Sequence, residues 1–175
     1  MYRSRRLELS LPLPDGKAWR IDDHSQPELV ATHAATASKI LVSVFNAGEL
    51  VGRARCQELA LEKHLVPDVG SKTVRVVEDE VAITQGEFDT RIEVVVRADG
   101  GPESLLIGRL MAFGGFLRKC FVFVYSTAVD RTSEEPVLSE RLAFVRARVL
   151  GGLELEPFDA VSRSPAAGPN LAPEP

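Results

Sequence analysis

The 175-residue chain is 45% hydrophobic and 26% charged, with a net charge of -4, so it has the balance and length of a globular domain with a proper core. The acidic balance leaves no electrostatic footprint for nucleic acid, and no apolar run approaches the ~20 residues of a membrane helix, so no membrane insertion is expected. Glu8, Ser10 and Pro12 interrupt the only early apolar stretch, so no export signal is read and the location is cytoplasmic as written. The periplasm or cell envelope is the alternative if a signal has been removed.

Arg3, Arg5 and Arg6 form a local basic cluster, read as a solvated arm over residues 1–6. Leu7, Leu9, Leu11 and Leu13 then alternate with polar residues at strand period, and Pro12 places that strand at a sheet margin. Pro14-Asp15-Gly16 is a turn in which Pro sets φ and Gly accepts a positive value. Trp19-Arg20-Ile21 is a short strand with Trp19 and Ile21 on one face. Residues 29–33 and 39–45 form a hairpin around a small polar turn. A helix over 47–65 follows, capped by Asn46 with Glu49 three residues on. Its apolar stripe is Leu50, Val51, Ala54, Leu61 and Leu65, which leaves Cys56 and Leu59 on the far side.

Two strands follow, over 73–83 and 88–97. Residues 104–126 are the centre of the chain: a long hairpin folded at Gly114-Gly115, since two glycines between apolar runs signal a tight turn. One face carries Leu105, Ile107, Val122 and Val124; the other carries Leu106, Leu110, Phe121 and Phe123. Neither face is polar, so both need cover. A last helix over 134–150 has Pro136 in its first turn and a core stripe of Leu138, Leu142, Val145 and Val149. Arg141, Arg146 and Arg148 lie off that stripe. Residues 157–175 are rich in Pro, Ala and Ser and read as a disordered tail.

These elements predict one α+β domain over 7–156, with six to eight mostly antiparallel strands between helices in an α/β/α layering. The order of strand, Trp-bearing strand, hairpin, helix, hairpin, long hairpin and C-terminal helix resembles the PsbP-like superfamily. That group includes the photosystem PsbP proteins, Ran-binding relatives, bacterial DcrB-like proteins and type VI effector chaperones. The resemblance rests on Leu11-Pro12, Pro14-Asp15-Gly16 with Trp19, Phe88-Asp89-Thr90, Gly115-Phe116 running into Phe121-Val122-Phe123, and residues 142–155. It implies an antiparallel sheet between helices and a binding or adaptor role more often than catalysis. It brings no catalytic residues.

The residues themselves hold no nucleophile elbow, dinucleotide loop, paired CxxC or zinc-protease helix. The residues 70–73, Gly-Ser-Lys-Thr, lack the earlier glycine of a phosphate loop. Cys56 and His64 are too far apart on a helix to share a metal. No cofactor and no metal is therefore expected. Cys56 and Cys120 are read as two reduced, buried thiols, with a disulfide as the alternative. The favoured function is a non-catalytic protein-binding, chaperone or adaptor module with an unidentified partner. Its candidate surface comprises Cys56, Leu59, Arg141, Arg146 and Arg148. The competing reading is an enzyme whose site is assembled from loops, with Asp22, Asp23 and His24 approached by Arg118.

Overall fold

The computed structural model describes residues 1–66, 74–83, 88–98 and 105–155. The expected tail, the residues 70–73 and the loop of residues 99–102 lie outside the described residues. Among the described residues, ten strands form two sheets. The small sheet holds β1 (Tyr2–Ser4), β2 (Leu9–Leu11) and β10 (Glu154–Leu155), with β2 in the middle. The large sheet holds β3 (Arg20–Asp22), β4 (Leu29–His33), β5 (Ser38–Asn46), β6 (Val74–Ile83), β7 (Asp89–Ala98), β8 (Leu106–Phe116) and β9 (Lys119–Val129). Its order is β3-β4-β5-β9-β8-β7-β6, antiparallel throughout. The fold class is α+β, as the periodicities predict.

Strand alternation divides the core. Leu110, Ala112, Phe121 and Phe123 face one way, joined by Leu138, Leu142, Val145 and Val149. These last four residues come from α2 (Glu135–Phe144) and the π-helical segment Val145–Leu150 that continues it. Leu9, Leu11, Leu153 and Leu155 bring the small sheet onto this same side. Met111, Phe113, Val122 and Val124 face the other way, under α1 (Arg53–Glu62), whose Ala60 is fully buried against them. Each face of an apolar central hairpin thus has its cover.

The hairpin turn is not at Gly114-Gly115. Phe116 pairs with Lys119, and Leu117-Arg118 makes the turn, with Leu117 at φ 52°. Both glycines are strand residues kept for closeness: a Cβ on Gly115 would stand 2.6 Å from the backbone of Gly52, and one on Gly114 would stand 2.9 Å from Thr90. Ile107 consequently pairs with Ala128 rather than with Val122. The displacement is an even number of residues, so the expected faces survive. At the other predicted turn, Asp15 carries the positive φ, at 47°, rather than Gly16.

Three further expectations are corrected. Cys56 and Cys120 form a disulfide that closes a 64-residue separation with Cα atoms 5.4 Å apart. The helix begins at Arg53, with Gly52 as N-cap, so Leu50 and Val51 precede it and cannot share its stripe. Its buried positions are Cys56 and, one turn on, Ala60, while Leu50 and Leu61 are exposed. Small residues face the sheet because the disulfide and the Gly52–Gly115 approach hold the helix close. Its outer side carries Arg55, ion-paired to Glu49, Glu58 and Glu62. Lastly, residues 1–6 are not a loose arm. Tyr2–Ser4 pair with β2, and Arg6 is ion-paired to the buried Asp23 at 3.0 Å.

Candidate functional site

The cleft with the richest side-chain chemistry lies where α2 crosses the β4–β5 hairpin. His33 ends β4, residues 34–36 make a 3-10 turn, and Ala37 takes a left-handed conformation that sends the chain back into β5 at Ser38. That turn lies beside β9, whose Tyr125 and Thr127 are both buried. Arg141 reaches over from α2. Its Nη1 donates to the Thr36 carbonyl at 3.2 Å, the Ala128 carbonyl at 3.1 Å and Thr127 Oγ1 at 3.3 Å. Thr36 Oγ1 donates to Ser38 Oγ at 2.8 Å, Ser38 Oγ donates to Thr127 Oγ1 at 3.0 Å, and Ser38 Oγ meets the Tyr125 hydroxyl at 3.1 Å.

The cleft above this floor has a volume of about 260 Å3. Its walls are largely apolar. Trp19 is half-buried, tilted against His33 with ring centroids 5.2 Å apart, and its Nε1 donates to the Pro14 carbonyl at 2.9 Å. Phe144, which also lines the cleft, is 45% exposed. His33 Nδ1 is 2.7 Å from Thr36 Oγ1, so Thr36 fixes the imidazole. A histidine near a serine invites a base-and-nucleophile reading. Ser38, however, is buried and bonded to Thr36, Thr127 and Tyr125 together, which makes it a structural hydroxyl. The arrangement suits apolar insertion over a satisfied polar floor.

Of the residues singled out from sequence, Arg141 belongs to this cleft. Cys56 does not belong to any surface: it is fully buried and disulfide-bonded, because its stripe faces the sheet. Leu59 is half-buried on the side of α1, Arg146 is half-buried and Arg148 exposed on the π-helical segment. The loop-assembled enzyme site does not form as read. Asp22 accepts from the amides of His24 and Ser25 and from the Ser25 hydroxyl, and those bonds, the Ser25 hydroxyl first, hold its carboxyl well below the usual range. Asp23 turns inward to Arg6 and to the Tyr2 hydroxyl. Arg118 lines a different cavity, with Leu50, Phe116 and Leu117 at the β8–β9 turn. Among the described residues no cluster of three or more His, Cys, Asp or Glu could hold a metal ion, and no helix is long and apolar enough to cross a membrane.

The cleft residues Trp19, His33, Tyr125 and Phe144 went unread in sequence. Phe144 had a signal: it is a large aromatic residue off the Leu138–Leu142–Val145–Val149 stripe. The others converge only through strand pairing.

No family model matches the chain, and no curated protein does. Solved structures do match in shape. The Ran-binding protein Mog1p of Saccharomyces cerevisiae aligns with a TM-score of 0.53 and 11% identity, over 85% of this chain and 90% of that one. LpqN of Mycobacterium tuberculosis, described as involved in cell envelope biogenesis, aligns with a TM-score of 0.50 and 14% identity, over 85% and 83%. The chain shares the overall fold of these two proteins. The cyanobacterial PsbP of Synechocystis aligns over 89% of this chain and 91% of that one, at 9% identity and a TM-score of 0.49. The chain spans 47% of the length of a further match, a Bacteroides thetaiotaomicron structure.

Proposed function

We propose that the protein is a protein-binding adaptor or chaperone module whose partner inserts an apolar or aromatic side chain into the α2 and β4–β5 cleft. The carrying observation is that the exposed Phe144 and the half-buried Trp19 line one cleft over a floor whose polar groups are already bonded to one another. A volume of about 260 Å3 falls below the ~300–1,000 Å3 of small-molecule sites and suits one large side chain. Trp, Tyr and Arg are the residue types that dominate binding hot spots. That a Ran-binding protein shares the fold supports a protein partner. Arg146 and Arg148 are proposed as the charged rim. The Cys56–Cys120 disulfide favours an oxidising compartment, which supports the periplasmic or envelope alternative.

The test is a photo-crosslinking residue at position 144, with one at the exposed Glu58 on α1 as control, used in native lysate. A discrete adduct at 144, absent at 58 and lost when Trp19 is changed to Ala, is expected. Adducts at 58 alone, or none at 144, would overturn the assignment.

A further inference from the structure

The cleft occupies one side of the large sheet. The other side is covered by α1 near the β8–β9 turn, and beyond α1 the cross-strand register sets up a row of cations. Arg20 pairs with Thr32, Thr32 with Lys39, Lys39 with Ser126, Ser126 with Arg109, and Arg109 with Val95. Directly paired residues share a face. The neighbours Ile21, Ala31, Ile40, Leu110 and Val96 all point to the α2 side, so Arg20, Lys39 and Arg109 point away from it. Arg97, two residues from Val95 along β7, adds a fourth cation on this face. In a chain of net charge -4 this row is a local basic feature.

Arg20, Thr32 and Lys39 are exposed and Ser126 and Arg109 are half-buried, so the row is accessible from β3 as far as Arg109, while Val95 beyond it is buried. No carboxylate among the described residues is paired with Arg20, Lys39 or Arg109. Arg109 goes further: its Nε is buried and has no hydrogen-bond partner among the described residues. Burial, and then the charge of Arg97, push its guanidinium below the ordinary value. A half-buried cation costs free energy in the folded state, and an anion at the accessible part of the guanidinium offsets part of that cost.

We infer that this row is a binding surface for an acidic protein segment, lying across the strands on the sheet face opposite the cleft. Adjacent strands are ~4.8 Å apart, and Arg20, Lys39 and Arg109 are each two strands apart, so the cations repeat at roughly 10 Å. An extended segment in polyproline II geometry advances ~3.1 Å per residue and three residues per turn, so every third side chain recurs on one side at roughly 9 Å. A segment with an acidic residue at every third position therefore matches the row. The surface is independent of the cleft and of its proposed occupant.

The probe is a fluorescein-labelled peptide of repeated Asp-Ser-Gly, titrated with the full chain by anisotropy. Binding is expected at low salt, weakening at least about fivefold from roughly 50 to 200 mM NaCl, because exposed charge pairs are screened. The double change Lys39→Gln with Arg109→Gln should weaken it about tenfold. Arg20→Gln with Lys39→Gln alters only exposed side chains, cannot disturb folding through Arg109, and should weaken it about fivefold. The charge-matched control, Arg5→Gln with Lys17→Gln, should stay within about twofold, since both residues are exposed outside the row. Absence of peptide binding, equal loss in the control, or tighter binding of oligothymidylate or of phosphatidylglycerol vesicles than of the peptide would each overturn the inference.

Discussion

Removing the disulfide tests how α1 is held. The helix buries only Cys56 and Ala60 fully, so little apolar area fastens it to the sheet. The bond to Cys120 closes a loop of 64 residues. Constraining a loop of that length lowers the entropy of the unfolded chain by an amount worth about 4 kcal/mol at 25 °C. For a chain of this size each kcal/mol moves the melting temperature by about 2–4 °C. Changing both cysteines to Ala should therefore lower Tm by about 8–16 °C, and a phosphine reductant should do the same to the parent but nothing to the variant. Calorimetry with and without reductant measures both. A variant melting within about 2 °C of its parent, or two titratable thiols in unreduced denatured protein, would refute the reasoning.

Gly115→Ala should destabilise by about 1–3 kcal/mol in a urea titration, because its Cβ would strike the Gly52 backbone, whereas Gly16→Ala meets nothing and should be near neutral. Arg141→Met keeps the side-chain stem but removes the donor to the Thr36 and Ala128 carbonyls and to Thr127 Oγ1, and should cost about 1–3 kcal/mol by the same measurement. Tyr2 has its pKa raised from 10.0 by burial and then by the bond to Asp23. A raised pKa means that the folded state holds the proton more tightly. The Tyr2 contribution is complete below pH 10 and fades as pH rises through the folded value. Tyr2→Phe should flatten that alkaline decline in stability, and an unchanged decline would exclude Tyr2 as its source.

Much of the architecture was legible because period and charge are local properties. The Leu138–Leu142–Val145–Val149 stripe and the two apolar faces of the central hairpin followed from spacing alone, and all four stripe residues are buried as expected. What failed depended on close approach between distant segments. Gly114-Gly115 carried a turn signal, yet the glycines serve contacts with Gly52 and Thr90 that no local pattern reveals. The polarity of α1 was inverted for a similar reason: its anchor is a covalent bond to a residue in another strand, so small residues face the core. The cleft was hidden because Trp19, His33, Tyr125 and Phe144 meet only after β3, β4, β5 and β9 pair and α2 packs across them.

The small sheet has a bearing on how the chain is made. Its middle strand β2 pairs with β1, nearly at the start of the described residues, and with β10, at their end. Synthesis delivers Leu9–Leu11 early, yet their second neighbours, Glu154–Leu155, emerge 144 residues after Leu11. At ~5–20 residues per second, one edge of β2 waits roughly 7–30 s for its partner. An unpaired edge in an apolar strand is a template for other chains. The nascent protein therefore depends on being shielded, or on slow encounters, until β10 closes beside β2.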